Sequence, residues 1–229
     1  MNRMHRWLEI AVLAGVPVCM ALCAYGGWEQ TALFSTGVAL FALLPFFVRL
    51  ERRKPRARDL MPLVVLIVTA VVGRILFAPF PNIKPLLAIV IVAGLCFGRQ
   101  SGLLVGTLSV LASNFFFGQG AWTPWQMYAC GLMGYIAGGL GKTKLCQSRA
   151  AVLCLGALAA YGYGCILNSW FILGFVRPLT LQTALAAYGA GLAFDTAHAA
   201  ATVVFLGLIW LPWRKKLTRI VQKYGIRTE

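Results

Sequence analysis

Charge is what this 229-residue chain has least of: 12% of its residues are charged, only six are acidic, and there are two histidines. That scarcity excludes most enzyme chemistry. Asp195 and His198, three apart near the carboxyl end, would need a nucleophile to form a hydrolase site or a third ligand to hold zinc. The other histidine, His5, falls on the opposite side of the membrane in the topology below. The seven cysteines lack CxxC spacing and sit in or beside apolar stretches, so they read as small packing residues, not metal ligands or disulfides. A phosphate loop is missing too, since Gly141-Lys142-Thr143 has Ile136 where the motif needs its first glycine and no strand precedes it. Neither catalysis nor ATP hydrolysis by this chain alone is expected. The first apolar stretch lacks an A-x-A-like cleavage site and is followed closely by another, so it reads as a retained helix.

Apolar residues are what the chain has most of, at 60%, with a mean hydropathy of +0.78. This predicts an all-α polytopic membrane bundle. Stretches long enough to cross about 30 Å of hydrocarbon are 8–26, 31–48, 61–77, 101–117, 123–141, 149–174 and 183–211; 86–97 is short, giving eight spans if it crosses and seven if it re-enters. Basic residues flanking spans stay on the cytoplasmic side. With eight spans and both termini cytoplasmic, the inner segments collect 18 of the 21 basic residues: those at 3 and 6, six between 49 and 58, Arg99, Lys142, Lys144, Arg149, and six between 214 and 227. Lys84 and Arg177 lie outside, and Arg74 lies in or at the end of a span. Seven spans would put the basic loop 142–149 and the basic tail outside. The net charge of +15 is thus mainly a topology signal with some attraction to anionic headgroups, and no nucleic-acid footprint is present. The predicted organisation is an amino-terminal transmembrane hairpin (1–48), a basic connector (49–59), a six-helix core (60–212) and a basic tail (213–229).

The core is organised around residues 97–141, two apolar helices joined by the tip Gly118-Gln119-Gly120-Ala121-Trp122-Thr123-Pro124-Trp125-Gln126. Asn114 and the run Phe115-Phe116-Phe117 precede it, so amides and ring faces converge at one end. That combination suits holding a solute: amides supply hydrogen bonds and rings supply flat apolar area. The proline-stiffened loop Ala78–Pro85 carries Asn82 and Lys84 beside it. Asn168, in a helix with Tyr161, Tyr163 and Trp170, must find a partner within hydrocarbon, and so must Asp195, for which His198 and Arg74 are the candidates. Arg74 either snorkels to the interface or points into a cavity. Glycines four apart at 94, 98, 102 and 106, and the stripe at 131, 134, 138 and 141, predict close helix packing.

Taken together, PNIKP, AGLCFGRQSGLLVGTLSVLASNFFFGQGAWTPWQM, GLMGYIAGGLG and FDTAHA resemble the substrate-binding S components of bacterial energy-coupling factor (ECF) transporters, nearest to those assigned to cobalamin. The likeness covers roughly residues 60–212, and FGQGxWTPWQM is its most specific part. It implies a six-helix subunit in the bacterial cell membrane that captures a vitamin from outside. Such a subunit docks on a transmembrane coupling subunit bearing two ABC-type ATPases, then topples to release its substrate inside. Carried onto this chain, docking falls to small residues of the first core helix: Thr69, Ala70 and Gly73, with Arg74 interrupting the family's alanine pattern. Substrate binding falls to Asn82, Lys84, Asn114, Gln119, Trp122, Trp125, Gln126, Asn168, Asp195 and His198. No resident cofactor or metal is implied, although His198 could be asked to ligate cobalt. Two other readings use the same residues: a scaffold holding partners through its glycine faces, and an intramembrane enzyme using Asp195 and His198.

Overall fold

A helix apolar on every side has only two stable surroundings, lipid or the interior of a bundle, and this chain uses both. The computed structural model describes residues 14–22, 24–25, 37, 57–141, 143 and 148–224. Its principal elements are α1 (Ala57–Leu76), α2 (Leu86–Phe97), α3 (Arg99–Phe117), α4 (Thr123–Leu140), α5 (Arg149–Phe175) and α6 (Leu181–Tyr224). The fold is all-helical, and four of these helices, α1, α3, α5 and α6, are long and apolar enough to cross a membrane.

The short segment 86–97 is the most enclosed helix of the bundle. As α2 it is 12 residues long, about 18 Å, well short of the hydrocarbon thickness. Leu86 to Gly94 and Phe97 are all buried, because α1, α3, α4 and α6 enclose the helix. Its uniform apolarity is that of a central core helix. The two expected amino-terminal spans lie mostly outside the described residues; among the described residues, four helices meet the length and hydropathy required for crossing.

Glycine sets the spacing around α2. Gly98, at φ 99°, ends α2 and starts α3, a left-handed conformation that side chains disfavour. α3 then runs back against α2, and α4 runs antiparallel to α3. A Cβ at Gly106 would meet the Cys130 carbonyl oxygen at 2.6 Å, and one at Gly102 would overlap the Gly134 backbone. The predicted glycine stripes are therefore the contact surface between these helices, where backbones approach too closely for a methyl group.

α1 lays Leu63, Leu66 and Ala70 on the core and exposes Met61, Val64, Val65, Val68, Val72 and Leu76. α5 and α6 pair antiparallel, with Gly156 against Leu206, Gly164 against Asp195 and Gly191 against Asn168. The expected boundary at 212 is not a structural break: α6 continues through Pro212 for 44 residues, and Leu217, Ile220 and Val221 pack on the core cluster. Likewise α1 begins at Ala57, inside the expected connector. Residues 14–22 are helical, and Val16, Met20 and Ala24 join Trp125 in a second cluster flanked by Tyr128, Ile166, Leu167, Trp170 and Leu173. The rest of the amino-terminal hairpin, apart from residue 37, the connector 49–56 and the last five residues lie outside the described residues.

Candidate functional site

α3 ends at Gly118 with φ 93°, and five residues later, at Thr123, the chain re-enters helix. The turn is closed by Thr123, whose backbone N–H donates to the Gly120 carbonyl (2.9 Å) while its hydroxyl accepts from the Gly120 N–H (3.1 Å). Pro124 follows in the first turn of α4, where its missing N–H costs nothing. The expected tip 118–126 is therefore shorter: Thr123 to Gln126 are helical, and the turn proper is 118–122.

This turn brings Asn114 and Gln126 together. The Asn114 amide nitrogen donates to Gln126 Oε1 (2.9 Å) and Thr123 Oγ1 (3.1 Å). Its oxygen accepts from Arg74 Nη1 of α1 (2.7 Å). Arg74 Nη1 also donates to Ser113 Oγ, and Ser113 in turn donates to the Ser109 carbonyl (2.7 Å). Three helices are thus tied at one end by a chain of side-chain hydrogen bonds in which Asn114, Ser113 and Thr123 are buried. Arg74 does not snorkel away; its guanidinium carbon lies 4.8 Å from the Phe117 ring centroid.

The loop after α1 completes this end. Asn82, at φ 59°, donates to the Phe194 carbonyl of α6 (3.4 Å), joining the loop to the last helix. Lys84 Nζ lies 6.0 Å from the Phe117 centroid and 3.4 Å from the Phe80 carbonyl oxygen. Burial, reinforced by the Arg74 charge, holds the Lys84 ammonium below its ordinary pKa. Gln119 donates to the Leu111 carbonyl (3.3 Å).

A second polar cluster lies between α5 and α6. Asn168 donates to Asp195 Oδ2 (2.9 Å), so the two intramembrane polar groups satisfy each other. The candidate pairing of Asp195 with Arg74 is not formed: Asp195 accepts from Asn168, and Arg74 Nη1 donates to Ser113 and Asn114. His198 is not held by Asp195 either; its ring meets Tyr163 edge-on at 5.2 Å. Trp122, half-exposed, packs edge-on against Trp170 at 6.4 Å. Trp125 is 3% exposed, its ring committed to packing against Val16, Met20 and Ala24. Asn82, Lys84, Asn114, Gln119, Trp122 and Gln126 thus share one end of the bundle, while Asn168 and Asp195 pair between α5 and α6 and His198 lies against Tyr163.

Of the three docking candidates on α1, Ala70 and Gly73 are engaged within the chain, whereas Thr69 is half-exposed. Ala70 is fully buried, and a Cβ at Gly73 would meet Pro85 Cγ at 2.6 Å. The Thr69 hydroxyl returns to the Val65 carbonyl (2.7 Å). Small residues here let the loop before α2 approach α1 within the same chain. Gly73→Leu is accordingly expected to destabilise the isolated chain, by about 1–3 kcal/mol, before any partner is added. An unchanged melting temperature in detergent would refute this packing role.

Two members of the network carried little sequence signal. Ser113 looks like a small packing residue in an apolar helix, and Thr123 like a tip residue. Arg74 did carry a signal, since an isolated cation in a span is costly unless it has partners.

The all-helical architecture, its four membrane-length helices and this polar end define a helical membrane protein. More particularly, the chain belongs to DUF6580, a family of unknown function whose model matches residues 54–215. No curated protein and no solved structure gives a match.

Proposed function

We propose that this chain is the substrate-capturing S component of an ECF-type importer. It takes a vitamin, with a corrinoid such as cobalamin as the first candidate, from the outer side of the bacterial cell membrane. The carrying observation is the Arg74–Asn114–Gln126 network. Polar side chains from three helices are assembled at one end of an otherwise apolar bundle, next to the exposed aromatics Phe115, Phe116 and Trp122. Such an end combines hydrogen-bonding groups with ring faces, the combination that holds a flat, amide-rich solute. The antiparallel helix order puts Arg99 and Arg149 at the end opposite Lys84 and Arg177, which supports cytoplasmic placement of the basic end.

In this role the chain performs no chemistry. A transmembrane coupling subunit and two ABC ATPases supply the energy, so the purified chain is expected to show no ATPase activity. With Ala70 and Gly73 turned inward, docking would use other exposed positions. The decisive experiment is calorimetric titration of the detergent-purified protein with cobalamin and with cobinamide, which lacks the nucleotide loop. Saturable binding at about −8 to −12 kcal/mol is expected for cobalamin. No heat at several temperatures would remove the corrinoid as substrate.

A further inference from the structure

Within the Arg74–Asn114–Gln126 network the direction of each hydrogen bond follows from one residue. Arginine only donates, so Arg74 Nη1 turns the Asn114 oxygen toward itself. The Asn114 NH2 must then face Thr123 Oγ1 and Gln126 Oε1. With its oxygen engaged, Gln126 is left with a free NH2. Ser113 Oγ accepts from Arg74 and gives its own proton to the Ser109 carbonyl, and Thr123 Oγ1 accepts twice. Each side-chain acceptor of the network is used. What remains on Arg74, Gln126 and Lys84 is N–H capacity: Arg74 Nε and Nη2, Gln126 Nε2, and Lys84 Nζ with only a 3.4 Å contact to Phe80. The side-chain acceptors left at this end are the oxygens of Gln119 and Asn82, whose nitrogens donate to Leu111 and Phe194.

The charges are equally one-sided. Arg74 and Lys84 both approach the Phe117 ring, and neither has a carboxylate partner among the described residues. Asp195 bonds to Asn168, and Asp59 lies about four turns earlier on α1. Two cations near one ring repel each other and lose hydration on burial, which is unfavourable until an anion arrives.

We propose that Arg74, Lys84 and the Gln126 amide form an oxyanion site, taking a phosphate or carboxylate carried by a solute whose flat part lies against the exposed phenylalanines. This deepens, and rests on, the substrate-capture reading; in cobalamin the fitting group is the phosphodiester of the nucleotide loop. Charge-assisted hydrogen bonds to such a group are about twice as strong as neutral ones, and Arg74 presents the planar fork that oxyanions match.

The test uses the full chain in phosphatidylcholine nanodiscs and two matched pairs of probes: cobinamide with cobinamide phosphate, and benzamide with benzoate, the latter followed by saturation-transfer NMR. The charged member of each pair is expected to bind at least about tenfold more tightly. Arg74→Gln should erase the preference. Because Arg74 also ties α1 to α3, Lys84→Gln serves as a second variant; Lys84 lies in the loop and makes only a 3.4 Å contact to Phe80, and its replacement is expected to reduce the preference severalfold. Equal binding within both pairs, no binding of any probe, or a preference that survives both substitutions would overturn the oxyanion site. Discrimination between benzoate and benzamide with both corrinoids silent would uphold the site and reject the corrinoid. Displacement of benzoate on moving to phosphatidylglycerol nanodiscs would assign the site to a lipid phosphate and overturn its role in holding solute.

Discussion

Replacing Asn114 by leucine is expected to destabilise the chain by about 2–4 kcal/mol and to weaken cobalamin binding by more than tenfold. Leucine is close in volume, so packing changes little; the loss is electrostatic. Arg74 would keep only Ser113, and Gln126 Oε1 would lose its donor in a part-buried setting. Leaving one member of a buried network unpaired costs more than forming the bond contributes, because the orphaned group has given up water without compensation. The measurement is thermal unfolding in detergent alongside calorimetric titration. A variant with wild-type melting and binding would mean that the network neither holds the helices nor meets the substrate. Asn114→Leu with normal melting but lost binding would assign Asn114 to the ligand alone.

Gly102→Leu carries the larger structural effect. A Cβ at Gly102 runs into the Gly134 backbone and the Gly94 Cα, and neither is a flexible side chain that could move aside. Helices α2, α3 and α4 would have to separate, removing the packing that drives helix association where lipid is as apolar as leucine. We expect loss of the folded monomer, a destabilisation above about 3 kcal/mol, visible as aggregation on size-exclusion chromatography. Gly174→Leu and Gly189→Leu are the controls, because a Cβ at either position meets nothing within 4 Å. Should Gly102→Leu elute and melt like these controls, the α2–α3–α4 contact would be wrong.

Legibility in the sequence tracked physical specificity. The glycine stripes could be read because close backbone approach tolerates one residue type, and the same spacing that announces them places them face to face. Arg74, Asn114 and Asp195 could be flagged because polar groups in apolar helices need partners, yet the identity of those partners could not be read. Arg74 and Asn114 are 40 residues apart, and nothing local distinguishes that pairing from the expected one between Arg74 and Asp195. Trp125 misleads for a related reason: an aromatic near a helix end suits a binding platform and a packing cluster equally well, and Val16, Met20 and Ala24 decide for packing.

By itself the sequence determined that this is a helical membrane protein, with a hairpin turn near Gly118 and glycine-mediated contacts, because those properties depend on composition and local spacing. Only the tertiary structure decided that α2 is enclosed at the centre of the bundle, that Ala70 and Gly73 pack within the chain, and that Arg74 joins Ser113 and Asn114. Each of these depends on which apolar face meets which neighbour. A helix that is apolar all round carries no mark of its orientation until its neighbours are in place.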